Sequence, residues 1–211
     1  MKKGETIASY LINWHLAIKR DYPWRRTKNP FRILIAEIML QRTKADQVEA
    51  VYNSFIKQFP NAGELNKADV GDIERYFQRL GLIWRARVLK KLADQLVEKY
   101  DGKVPQTREE LLMLPSIGEY VADALLSFAF QKDVAIVDSN VCRVLRRVFG
   151  MTSKGEARRD RGFRQKAEEI LPKGKSREFN FAILDLAALI CLPKEPKCPI
   201  CPIKTMCSYY R

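Results

Sequence analysis

Cysteine is missing from the first 141 residues, and Cys142 is the only one before residue 191. With nothing to staple most of the chain, a disulfide-framed secreted scaffold is excluded, and a reducing compartment is expected. Long apolar runs are missing too. The longest, Phe179 to Leu192, is interrupted by Asn180 and Asp185, so no helix is expected to span a bilayer. Met1-Lys2-Lys3 is basic, but Glu5, Asn13, Trp14 and His15 interrupt the stretch behind it, and no signal peptide is expected. No amphipathic segment stands apart from the globular pattern, which argues against a membrane-surface protein. Acidic residues are also in deficit. Asp and Glu total 25 against 38 Lys and Arg, a formal charge of +13, and the pI is near 9.6. A polyanion is the expected partner.

The 211 residues suffice for one or two lobes with a proper core, and 46% hydrophobic with 30% charged residues describes a folded chain. Helical spacing or helix-forming composition covers 5–19, 31–42, 44–58, 72–78, 85–100, 107–113, 120–130, 139–149, 160–171 and 177–190. Pro and Gly punctuate the joins, among them Pro30, Pro60, Gly63, Gly81, Gly102, Pro115, Gly118, Gly150 and Pro172. Val134–Val137 is the lone strand-like run, too short for a sheet. The fold class is therefore all-α, with connections of a few residues, no long linker and no fixed-period repeat. Basic residues gather at Trp84-Arg85-Ala86-Arg87, at Arg143, Arg146 and Arg147, and from Lys154 to Lys175. Singly these read as solvated faces; jointly they point to a phosphate-binding surface.

Four cysteines crowd the C-terminus, Cys191, Cys198, Cys201 and Cys207, separated by six, two and five residues. Pro193, Pro196, Pro199 and Pro202 forbid a helix there and favour a wrapped, metal-binding loop. Four thiolates suit a structural zinc or an iron–sulfur cluster. Only Cys198 and Cys201 form a Cys-x-x-Cys knuckle, so spacing leans towards the cluster and leaves zinc open. Cys142, within an apolar helical run, reads as a buried inert thiol.

Chemistry could sit at three places. In Leu111–Val121 a helix ends near Pro115, a tight turn comes next, and a new helix starts near Glu119. Gly118 would allow close approach, and free N–H groups there could grip a phosphate without reading sequence, although an ordinary helical corner fits the pattern equally. In Val134–Val141 an apolar run stops at Asp138 and a helix begins. Asp138 is at least a candidate N-cap; a carboxylate kept charged by the helix dipole could also stabilise positive charge in a substrate. In Phe31–Gln41 a helix apolar on nearly every side carries Glu37, with Gln41 one turn on. Glu37 is either the buried partner of an arginine or an acid whose protonated form burial favours. Facing one cavity, Glu37 and Asp138 would divide proton donation and charge stabilisation, as two carboxyls do in glycosidic bond cleavage.

These elements, in this order, resemble the helix-hairpin-helix DNA glycosylases of the endonuclease III superfamily from about Trp14 to Cys207. The resemblance is carried by Glu37–Gln41, Gly81-Leu82, Leu114–Gly118, Asp138 and the four terminal cysteines. It implies a [4Fe–4S] cluster on Cys191, Cys198, Cys201 and Cys207. It also implies two lobes: a six-helix barrel over 22–130, and a cluster lobe of 1–21 plus 131–211, with duplex DNA in the cleft between. Pro23-Trp24-Arg25, Ile38–Gln41 and Asn180–Cys191 look like the adenine-DNA glycosylase branch. Those enzymes carry a further C-terminal domain, whereas this chain ends four residues after Cys207, which turns the expectation away from adenine.

Two residues past the hairpin glycine, endonuclease III has a lysine that forms a Schiff base with the sugar, and the adenine branch has a serine; here the residue is Tyr120. A phenol cannot form an iminium. Tyrosine at this place resembles the archaeal thymine-DNA glycosylases acting on G·T mismatches. The implied activity is monofunctional removal of thymine, and also of uracil, mispaired with guanine, by flipping the base out of the duplex. Asp138, Glu37 and Tyr120 would be catalytic. Gln41, Arg42, Leu82 (the wedge), Ile117, Gly118, Asn140, Lys194 and Lys197 would contact DNA. A cytoplasmic, nucleoid-associated monomer is expected. The alternatives are a bifunctional endonuclease III-like lyase on oxidised pyrimidines, an adenine-DNA glycosylase, and a non-catalytic iron–sulfur DNA-binding module.

Overall fold

The computed structural model describes residues 3–18, 20–81 and 83–210, all helix and connection, with no strand among them. None of the described helices is long and apolar enough to cross a membrane. Contacts divide the chain into two units, Asp21–Phe130 and Met1–Arg20 with Gln131–Arg211.

The first unit is built around α2 (Pro30–Leu40) and α8 (Glu119–Phe128), which pack together. Asn29 starts α2 by accepting a hydrogen bond from the Arg32 amide at 3.1 Å, and Pro30 fits the first helical position, where no N–H is needed. Eight of the eleven residues of α2 are buried, Phe31 through Met39 with Arg32 the exception. Around this pair lie α3 (Ala45–Gln58), α4 (Ala62–Lys67), α5 (Val70–Gln78), α6 (Trp84–Tyr100) and α7 (Arg108–Leu112). Phe55 of α3 meets Phe59, Tyr76 and Phe77 edge-on, the geometry that aromatic quadrupoles favour. Helical spacing predicts nothing at α4, which is nonetheless formed. Asn61 caps it through the Glu64 amide at 2.9 Å, and Lys90 of α6 donates to the Asn66 carbonyl, so tertiary contacts hold a six-residue helix with a glycine in its first turn.

In the second unit α1 (Lys3–Ile18) packs along α11 (Ser176–Leu189), and α9 (Ser139–Phe149) packs against α11 and α10 (Arg161–Glu169). His15 and the fully buried Asp185 lock α1 to α11 at 2.9 Å, with Arg20 on the other carboxylate oxygen at 3.5 Å. The strand-like run at 134–137 pairs with no strand. Asn180 donates to the Val134 carbonyl at 2.8 Å and accepts from the Ile136 amide at 3.4 Å, and Ser176 donates to Val134 at 3.0 Å. Side chains of α11 thus satisfy backbone that would otherwise be buried unpaired, and fix the approach to Asp138.

Candidate active site and nucleic-acid interface

At its C-terminal end α2 meets the α7–α8 hairpin of the same unit. Glu37 sits in mid-helix and is only 6% exposed, among Leu34, Ile38 and other wholly buried residues. One turn on, Gln41 leaves the helix and its Nε2 donates to the Ser116 carbonyl in the hairpin turn at 3.3 Å. Arg42 comes next, in the left-handed region at φ 57°. Within the hairpin turn the left-handed residue is Ser116, at φ 63°, while Gly118 is extended at φ −92° and ψ 178° as the N-cap of α8. A Cβ on Gly118 would meet nothing within 4 Å, so the glycine leaves open space before the helix.

Ile117 does not supply the free donor expected of it. Its side chain is buried and its N–H closes the turn onto Leu114 at 3.3 Å. The Gly118 N–H makes no hydrogen bond to any described residue, and it stands at the positive end of α8. Tyr120, half-buried, lies in that helix's first turn. Arg108 bridges α7 to α8 through the fully buried Asp123 at 2.9 Å and Glu119 at 3.6 Å. Leu82 lies outside the described residues.

Asp138 is in the other unit, at the head of α9. Oδ1 accepts from the Val141 amide at 2.7 Å and Oδ2 from the Asn140 side-chain amide at 2.8 Å. Arg143 holds Asn140 in turn, donating to its Oδ1 at 3.0 Å, and reaches the Cys191 and Ala187 carbonyls at 2.9 Å each. Both carboxylate oxygens are therefore oriented by a chain of hydrogen bonds. Asn140, expected on DNA, is exposed and bridges Asp138 to Arg143.

The C-terminal cysteines line one small cavity with Leu186, Ile190, Ile203 and Arg147. No three His, Cys, Asp or Glu side chains among the described residues form a group able to hold a metal ion. The other three thiols are nevertheless close enough to act on Cys201. Burial first, then Cys207, Cys191 and Cys198, push the Cys201 thiol up to about 11. A bound cation would relieve that destabilisation of the Cys201 thiolate. A donor set of sulfur alone around an apolar cavity fits iron–sulfur ligation. Arg147 donates to the Cys191 sulfur at 3.4 Å and to the Leu192 and Pro193 carbonyls at 2.6 and 3.0 Å. Lys194 and Lys197 are exposed on the intervening loop.

Not every residue of the basic clusters is available to a phosphate. Arg85 is buried, and Arg143 and Arg147 are spent on carbonyls of 187–193, so these three anchor backbone. Arg87 and Arg146 stay on the surface. Cys142 is buried, as expected, and burial pushes its thiol up to about 11.

Residues 35–173 match the family described as HhH-GPD superfamily base excision DNA repair protein. A thymine/uracil-DNA glycosylase of Methanothermobacter thermautotrophicus is 36% identical over 210 residues, covering 99% of this chain and 95% of the relative. An adenine DNA glycosylase of Buchnera aphidicola is 37% identical over 201 residues, covering 95% of this chain but 57% of the relative. Among solved structures, a thermostable thymine-DNA glycosylase superposes with a TM-score of 0.94 at 36% identity, covering 99% of this chain and 97% of that one.

Proposed function

The chain belongs to the HhH-GPD superfamily of base excision DNA repair proteins, and from that premise we propose that it hydrolyses the N-glycosidic bond of thymine or uracil mispaired with guanine. One observation carries the chemistry: a carboxylate, Asp138, is fixed through both oxygens at a helix N-terminus, while the place two residues past the hairpin glycine holds the phenol of Tyr120 and no amine.

Each part has a role in the reaction. Duplex DNA binds through its phosphates, one of them at the open N–H of Gly118, others at Lys194 and Lys197. Gln41 and Arg42 face the widowed guanine, whose O6 and N7 suit a guanidinium, and Leu82 fills the vacated stack. The mismatched base is flipped out at lower cost than a paired one. As the C1′–N1 bond breaks, its electron pair leaves with the base and positive charge grows on the sugar, which Asp138 stabilises. Glu37 protonates the departing base. Water adds its oxygen to C1′ and gives up a proton that restores the Glu37 acid, leaving an abasic site. Tyr120 packs against the sugar or base and cannot form the imine a lyase needs. A pocket that accepts thymine excludes the smaller uracil poorly, so both are substrates.

Cys191, Cys198, Cys201 and Cys207 would hold a [4Fe–4S] cluster. When bound, it supplies iron–sulfur bonds that fix the loop carrying Lys194 and Lys197. Purified protein should therefore contain iron and acid-labile sulfide; stoichiometric zinc without iron would refute the cluster. The enzyme works as a monomer beside the nucleoid. Its activity is tested by base release from duplexes carrying G·T, G·U, A·G, oxidised G·A and thymine glycol, with and without alkali. Release from G·T and G·U, with strand cleavage only after alkali, is expected. Intact mismatches, or cleavage without alkali, would overturn the proposal.

A further inference from the structure

Tryptophan is costly to leave in water, and one of the three here is left there. Trp24 is buried and stacked on Tyr22, whereas Trp84 is 54% exposed, next to Ile83, itself exposed. No side chain caps the start of α6, and the nearby Gly81 is left-handed at φ 76°. What holds this end of the helix is the next residue. Arg85 is 1% exposed, and one of its terminal nitrogens donates to the Met39 carbonyl at 2.9 Å and to the Thr43 hydroxyl at 3.2 Å. Arg42 is near enough that its charge, after burial, lowers the Arg85 pKa. The head of α6 is thus fastened to the end of α2 that carries Gln41 and Arg42, all within one unit.

Rotation along the helix places the rest. Ala86, Leu89 and Ala93 face the core with no exposure, and Trp84, Arg87 and Lys91, at i, i+3 and i+7, share the outer face. The Arg87 side chain is 77% exposed, with Glu74 no closer than 3.8 Å. An aromatic at the head of a basic stripe is the arrangement that tracks a sugar–phosphate strand and stacks a base at its end.

Resting on the glycosylase function proposed above, we infer that Trp84 is a stacking platform for a base that loses its neighbour when the mismatched pyrimidine is extruded, and that it promotes extrusion rather than bond cleavage. Arg85 is a positioning residue for that platform.

Two readouts test the inference independently. In the first, single-turnover base release is compared on a G·T duplex and on the same G·T placed in a pre-melted bubble. Trp84→Ala should slow the duplex reaction by about tenfold or more and leave the bubble reaction within about twofold, and Trp84→Phe should restore most of the loss. Equal loss on both substrates, or no loss on either, overturns the inference. In the second, tryptophan fluorescence is monitored as holoprotein binds mismatched duplex. Wild-type emission should be quenched and the Trp84→Phe variant should lack that quench; an unchanged quench in the variant overturns the inference. Should wild-type protein release no base from any substrate, the glycosylase function fails, while the fluorescence result still decides whether Trp84 stacks.

Discussion

At the scale of the residue, the cap that Asp138 forms and the catalytic role proposed for it can be separated by mutation. Its Oδ1 caps α9, and asparagine caps as well as aspartate does. Asp138→Asn should therefore keep fold, thermal midpoint and affinity for mismatched duplex, while base release falls by roughly two to four orders of magnitude, the range of a positioned acid–base group. Single-turnover release beside a DNA-binding titration checks this; near-normal turnover would reduce Asp138 to a cap. Tyr120 gives the converse case, a function that can be added. Tyr120→Lys puts an amine in the first turn of α8, where the helix N-terminus disfavours its protonated form. The variant should yield a covalent DNA adduct trapped by borohydride, which wild-type protein should not. A folded variant that gives no adduct would mean that this position does not face the sugar.

Elements are placed by contacts that sequence reveals unevenly. The period of α2 and the lone Glu37 within it are plain, because a carboxyl in an apolar helix breaks the pattern around it. Asp138 is plain because an apolar run stops there. Asp123 is not. It lies in α8 among buried residues, and its partner Arg108 is one of many arginines, so nothing local marks the pair. The left-handed residue of the hairpin turn is Ser116, held between the Ile117–Leu114 and Gln41–Ser116 hydrogen bonds, and nothing local in the sequence marks it. The helix α4 and the His15–Asp185 lock, 170 residues apart, are tertiary facts with no local signature. Asp123 also yields a prediction about the hairpin as a unit. Asp123→Ala leaves Arg108 only Glu119, at 3.6 Å, and a guanidinium one-third exposed can rehydrate, so the cost should be about 1–3 kcal/mol, below that of breaking a wholly buried pair. A urea-unfolding midpoint measures it. Weakened binding to matched and mismatched duplex alike should accompany it if the hairpin grips phosphate, as proposed, and reads no base. A loss confined to mismatched DNA would contradict that role.

Over the whole molecule, the charge of +13 determines how DNA is met, but formal charge overstates the number of contacts. Arg85, Arg143 and Arg147 are consumed inside the fold, and many other cations face carboxylates, as Lys67 faces Glu64 and Arg75 faces Asp72. Lys194 and Lys197 differ: they stand exposed on a loop whose ends are tied by the Lys197 amide to the Ile190 carbonyl and by Arg147 to Leu192 and Pro193. A charge on so constrained a loop would meet the proposed phosphate without the loop first being ordered. Each lysine that meets one phosphate releases its counterion, so the slope of log K against log salt should become shallower by about 0.9 for Lys194→Ala, again for Lys197→Ala, and by the sum in the double variant. The change should be the same for G·T and for fully paired DNA, because phosphate contacts carry no sequence information. Single-turnover base release at saturating enzyme should stay unchanged, since neither side chain takes part in bond cleavage. Titrations of the three variants over a range of salt check both halves. An unaltered slope would remove the cysteine loop from the DNA surface and leave the α6 stripe and the α8 N-terminus to carry the phosphate contacts.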